Sequence, residues 1–214
     1  MPSTLSLHNV RVDGDLGKID ALQGFVCQRS AASALLSMAS QVASTRQCAF
    51  TWTGPCGSGK SSLAVTFAAL LGPKGALRAA ASQAVGSGTA QKIQAAFQPS
   101  PAGRRSIAVV GQRGDPVADI SDALERARRG KAPAAGRQRK PAASGRELIA
   151  RLLEEANARP KDGVLLIIDE LGKFLEGVAG EASGDVFFFQ ELAEAAARAN
   201  GRFVVVGILH EAFE

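Results

Sequence analysis

The chain has 214 residues, 46% hydrophobic and 21% charged, which suits one ordinary domain and excludes a wholly disordered chain. Its 25 Lys and Arg against 20 Asp and Glu leave a formal charge of +5, which permits a polyanionic partner without requiring one. Ten Phe, one Trp and no Tyr leave the core to aliphatic residues and Phe, and they argue against a base-stacking surface.

From the start of the chain, Met1 to Val10 is mixed polar and shows no basic flank or apolar leader. Leu5–Val12 reads as an early strand, with His8 on it and no constellation around that histidine. Ser30–Ser44 follows as a helix with Ala and Leu at helical spacing and Ser30 as its cap. These elements, residues 1–46, lead into a core expected over 47–214. The cysteines Cys27, Cys48 and Cys56 are odd in number and form no CxxC pair, the pattern of reduced thiols in a cytoplasmic protein. No run of about 18 apolar residues occurs, so no membrane helix is expected.

Cys48–Thr53 is the first core strand, and directly after it comes Gly54-Pro55-Cys56-Gly57-Ser58-Gly59-Lys60-Ser61, with Ser62 next. This matches G-x-x-x-x-G-K-[ST] between a strand and a helix. Glycines let successive backbone N–H groups turn inward around a phosphate, and the following helix presents the positive end of its dipole to the same anion. Lys60 is placed to reach the β- and γ-phosphates, and the Ser61 hydroxyl to coordinate Mg²⁺. Cys56 reads as a small residue tolerated at a variable position. The helix Ser61–Leu71 stops at Gly72-Pro73, and a shorter helix is expected at Ala90–Gln98.

Ile107–Gly111 is the second strand, with Gln112-Arg113 after it as secondary candidates for lining a site. Helices Val117–Arg129 and Arg146–Ala158 flank a basic window. From Arg126 to Arg146 there are eight basic residues and no acid, leaving 17 basic and 20 acidic residues elsewhere. With Pro133, Pro141 and three glycines, the middle of that window cannot bury a core face and reads as an exposed insertion. Its functional alternative is a contact to a nucleic-acid backbone.

The strongest apolar run is Val164-Leu165-Leu166-Ile167-Ile168, followed by Asp169-Glu170, a Walker B pattern. Asp169, at the C-terminal end of its strand, can hold Mg²⁺ beside the phosphate loop, and Glu170 can orient or deprotonate the attacking water. Helix Val186–Asn200 and strand Phe203–Leu209 complete the pattern, and the last strand runs into His210-Glu211. Continuous apolar strands alternating with helices predict an α/β fold with a mainly parallel sheet covered on both faces.

Lys60 and Asp169 are far enough apart for the Ile107–Gly111 strand to intervene. With the Asp-Glu pair, that spacing resembles the additional-strand, catalytic-glutamate P-loop ATPases, in their AAA+ or STAND-like branches, over roughly residues 47–210. The segments GVLLIIDELGKFLE (163–176) and RFVVVGILHEAFE (202–214) look like bacterial ATPases of that type in defence and regulatory systems. The resemblance implies a three-layer P-loop NTPase fold, ATP and Mg²⁺ as ligands, and a sensor role for His210 in preference to Glu211. It also implies a last strand, a helical lid and an arginine finger supplied by another copy, parts expected after residue 214.

These readings lead to an ATPase with Glu170, Lys60 and His210 as its catalytic residues. A nucleotide-gated switch with little turnover, a nucleic-acid-acting motor gripping through Arg126–Arg146, and a kinase or small-molecule transferase are the alternatives. No N-K-x-D motif for guanine occurs.

Overall fold

The computed structural model describes residues 10–55, 57–129, 142–180 and 187–210. Among these the chain forms four strands, β1 (Ala49–Trp52), β2 (Arg105–Val110), β3 (Val164–Asp169) and β4 (Phe203–Ile208), all parallel in the order β1-β4-β3-β2. Parallel neighbours need crossovers, and helices supply them. After α1 (Val12–Asp15), a 3₁₀ turn (Asp20–Leu22) and α2 (Arg29–Thr45), the β1–β2 crossover holds α3 (Lys60–Leu71), α4 (Ala76–Val85) and α5 (Ser87–Phe97). The β2–β3 crossover holds α6 (Pro116–Arg129) and α7 (Gly145–Asn157), and the β3–β4 crossover holds α8 (Leu171–Gly180) and α9 (Phe188–Arg198).

The first crossover runs toward the β2 edge and the other two run back. Right-handed connections therefore put α3–α5 on one face and α6–α9 on the other. Contacts agree: α3, α4 and α5 pack on one another and α5 packs on α2, while α6 packs on β2 and α7, and α9 on α7, β1 and β4. Every residue of β3 and β4 is buried, as their unbroken apolar runs predicted, whereas β1 and β2 form the edges and are only partly covered.

The four predicted core strands are found within two residues at each end. The strand between the two motif strands is not Ile107–Gly111, however. β4 lies between β1 and β3, and β2 occupies the far edge. Spacing along the chain showed room for a strand but not which one takes the middle. Val12, expected to end a strand, lies in α1, while the rest of Leu5–Val12 apart from Val10 and Arg11 falls outside the described residues. Ser30 is the second residue of α2 rather than its cap; Gln28 holds that position without a side-chain hydrogen bond.

Besides the short α1, two helices are absent from the sequence reading. The α4 segment is short and Ala-rich, so its signal lay chiefly in helix propensity. The α8 segment holds Gly172, Gly177 and Gly180, which lower helix propensity.

At the N-terminal ends of the strands, Arg104 is buried beneath the sheet. It donates to the Gly201 carbonyl at 2.9 Å and the Val164 carbonyl at 3.3 Å, and its guanidinium lies 5.6 Å from the Phe97 ring centroid. Burial pulls its pKa down to about 10, opposed by Cys48 and Asp162, so it stays charged at neutral pH. Asp162 accepts from the Ser100 N–H at 2.7 Å and its hydroxyl at 2.5 Å. Arg78 donates to the carbonyls of Gly72 and Ser100, tying the end of α3 to the same corner. Arg104 and Arg78 are satisfied here by backbone carbonyls and Asp162 by Ser100, at the end of the sheet opposite to the Asp169–Glu170 turn.

Helix α3 is anchored by Phe67, fully buried, whose ring meets Trp52 of β1 at 6.2 Å and Phe97 of α5 at 5.5 Å, both edge-on. Phe67→Ala is expected to lower unfolding free energy by about 3–5 kcal/mol through lost burial and an unfilled cavity. Urea denaturation measures it; a loss below 1 kcal/mol by the same linear extrapolation contradicts this packing.

Candidate functional site

Strand register decides what meets at the C-terminal end of the sheet. Trp52 pairs with Ile208, Ile168 with Gly207, and Val110 with Asp169. The segments that follow, Gly54 onward, His210, Glu170 and Gly111 onward, therefore leave the sheet at the same level.

The segment after β1 turns through Ser58 N–H to Pro55 C=O at 3.3 Å and enters α3 at Gly59, whose φ of +81° is left-handed. A side chain there would be strained, so glycine sets the direction in which α3 departs. No side chain caps α3 and its own first turn holds no acid, so the positive end of its dipole faces the loop. Lys60 folds back over the loop, and its ammonium donates to the carbonyls of Gly54 at 2.5 Å and Pro55 at 2.7 Å and to the Ser58 hydroxyl at 3.3 Å. Gly54, Pro55, Gly57, Ser58, Gly59, Lys60, Ser61 and Ser62 thus form one loop and helix start. Cys56 lies outside the described residues.

The next residue makes the long-range contact. Ser61 Oγ donates to Asp169 Oδ2 at 2.7 Å, joining positions 108 residues apart. Because β4 separates β1 from β3, two strand spacings of about 4.8 Å each lie between them, and the start of α3 covers that distance. Asp169 is 5% exposed, and its other oxygen accepts from the Glu170 N–H at 3.0 Å. A hydroxyl and a carboxylate oxygen at hydrogen-bonding distance form a hard-donor pair suited to Mg²⁺. Among the described residues no group of three or more His, Cys, Asp or Glu is placed to hold a metal, so a cation here would depend on oxygens brought by its ligand.

Glu170 has a φ of +54°, uncommon for a residue with a side chain. The turn it makes rests on Gly111 of the neighbouring strand end. Gly111 N–H donates to Asp169 C=O at 2.7 Å, and a Cβ on Gly111 would lie 2.3 Å from the Glu170 carbonyl oxygen. Both Glu170 carboxylate oxygens are engaged. Oε1 lies 2.9 Å from His210 Nε2, and Oε2 lies 3.4 Å from Lys173 Nζ.

Glu170 and His210 open onto a cleft of 580 Å³ between the end of β2 and α8, whose wall includes Gln112, Arg113, Lys173 and Glu176. Gln112 and Arg113 line this cleft, while Gln112 also donates to Asp119 at 3.1 Å and Arg113 to Glu176 at 3.0 Å. None of the described residues from Gly54 to Ser61 lines it. His210 is brought against Glu170, and Glu211 and His8 lie outside the described residues. Lys173 is the residue that sequence reading missed; its three-residue spacing from Glu170 was visible, but the helix that gives the spacing meaning was not.

The described members of the basic window are Arg126, Arg128, Arg129 and Arg146, and Lys131 to Lys140 fall outside. Arg128 pairs with Glu155 at 2.9 Å and Glu125 at 3.3 Å, which neutralises part of the charge. No helix among the described residues is long and apolar enough to cross a membrane.

Gly111→Ala is expected to disturb the Glu170 turn and lower the melting temperature by several degrees. Gly172→Ala, with nothing nearer than the Leu209 side chain at 3.6 Å, is the control and should be neutral or mildly stabilising. Thermal unfolding of both variants tests this; equal melting temperatures would refute the close approach at Gly111.

Compared with known proteins, the chain matches no protein-family model and no curated protein.

Proposed function

We propose that the protein binds ATP with Mg²⁺ and hydrolyses its β–γ bond, as a P-loop NTPase of the additional-strand, catalytic-glutamate class. The observation that carries this reading is the 2.7 Å contact of Ser61 with Asp169, because it brings the glycine-rich loop after β1 against the acid pair after β3 from 108 residues apart. The strand order β1-β4-β3-β2 supports it, since a strand stands between those bearing the loop and the acid pair.

On this reading the phosphates sit in the loop Gly54–Gly59 and accept from its N–H groups and from the first turn of α3. Lys60 exchanges the loop carbonyls it now contacts for oxygens of the β- and γ-phosphates. Ser61 and Asp169 are the residues that would hold Mg²⁺, which supplies charge neutralisation on the phosphates when bound. Water attacks the γ-phosphorus in line, Glu170 takes its proton, and the β–γ bridging bond breaks to give ADP and phosphate. His210 steadies the Glu170 carboxylate from its second oxygen in place of a direct phosphate contact. ATP is preferred to GTP on the family resemblance, in keeping with the lack of N-K-x-D.

A nucleotide-gated switch with little turnover is the second reading, favoured by one observation: both Glu170 oxygens are already paired with side chains. Hydrolysis by isolated protein is expected to be slow without a cation from a second copy, because such a charge contributes about 10³–10⁵ in rate.

Two variants separate the readings. Lys60→Ala should abolish Mg²⁺-dependent ATP binding measured by calorimetry. Glu170→Gln should bind within about threefold of wild type yet lose at least about 100-fold in single-turnover hydrolysis. Binding without any wild-type turnover would favour the switch, and no Mg²⁺-dependent binding would sink both readings.

A further inference from the structure

We propose that Lys173 is a positioning residue for Glu170, fixing the carboxylate so that it points at the attacking nucleophile; this inference rests on the ATPase reading above.

Three constraints converge on the Glu170 side chain. Its left-handed backbone, held against Gly111, sets the direction of the Cα–Cβ bond. His210 Nε2 lies 2.9 Å from one carboxylate oxygen. The Lys173 ammonium lies 3.4 Å from the other. A carboxylate held at one oxygen can still swing about its last torsion, which is broad and twofold for glutamate. Held at both, it keeps one plane.

Lys173 is built into that position. It sits in the first turn of α8, where its N–H donates to the Glu170 carbonyl at 3.0 Å, so its backbone moves with the residue it steadies. Its side chain is half exposed and lines the cleft, and its ammonium makes no other ion pair among the described residues.

The ordinary explanation for such a contact is an exposed ion pair three residues apart on a helix, worth a few tenths of a kcal/mol in stability. The two explanations differ in what they affect. An exposed pair contributes slightly to folding and nothing to reaction. A positioning residue contributes to the chemical step, where a misplacement of about 1 Å can cost 10²-fold. Nucleotide affinity should be indifferent in either case, because Lys173 does not contact the loop that carries Lys60 and Ser61.

The test is a double-mutant cycle on the full chain with ATP and Mg²⁺. Lys173→Met, which keeps length and removes charge, is expected to lower the single-turnover rate about tenfold or more. The ATP dissociation constant should stay within about twofold and the melting temperature within about 1 °C. Lys173→Arg should recover at least a third of the lost rate. In a Glu170→Gln background Lys173→Met should have no further effect, since there is no base left to position. A wild-type rate in Lys173→Met, or the same fold loss with and without Glu170, overturns the inference. A wild-type protein that binds ATP without turnover overturns the ATPase reading itself, and the Lys173 assignment with it.

Discussion

Two strands that do not touch must deliver their ends to one point, and the Ser61–Asp169 hydrogen bond is where they do so. The loop after β1 and the acid pair after β3 are separated by the full width of β4. No side chain from the loop alone spans that width. The first turn of α3 does, and it does so only if α3 leaves the sheet in one direction. The left-handed glycine at position 59 sets that direction, and Phe67, wedged between Trp52 and Phe97, holds it one and a half to two turns further on. A buried ring far from the charged groups is thereby coupled to their geometry.

The same end of the sheet carries a second constraint, on the β3 side. Asp169 and Glu170 are consecutive, yet they face different partners: Asp169 meets Ser61, and Glu170 meets His210 and Lys173. Consecutive residues on a straight strand would point to opposite faces of the sheet. Here the chain leaves strand geometry at Glu170, whose positive φ turns its carboxylate toward the end of β4 and the start of α8. The cost of that backbone, of order 1–3 kcal/mol, is offset by the close seat on Gly111 and by the Gly111–Asp169 hydrogen bond. Strain that persists against such a cost tends to sit where chemistry is done.

Charge is divided between the two ends of the sheet. At the N-terminal ends, Arg104 and Arg78 donate to backbone carbonyls and Asp162 accepts from Ser100, and the burial of Arg104 and Asp162 marks them as structural. At the C-terminal ends, Lys60, Lys173, Glu170 and His210 are partly exposed and their contacts are ones a ligand can replace. A site that must exchange partners cannot be built from groups whose removal from their carbonyls leaves them buried and unpaired.

Much of this was written in the sequence. Apolar runs located all four strands, and those of β3 and β4 are unbroken because a strand covered on both faces needs no polar alternation. The spacing of Gly54, Gly59, Lys60 and Ser61 marked the loop, because backbone N–H groups can converge only where side chains are missing. The Asp169-Glu170 pair was legible from its place at the end of the most apolar strand. What the sequence could not decide was neighbourhood. Which strand lies between β1 and β3 depends on how crossovers pack, and spacing along the chain assigned that place to the wrong segment. The α8 helix was hidden by its glycines, and with it Lys173, whose meaning depends on a helical turn. His210 was visible as a polar residue after a strand, but its partner was set by the register of β4 against β3 and by one left-handed residue. Local chemistry is fixed by residue type and short spacing; which groups meet is a long-range property, and only the packed sheet decided it.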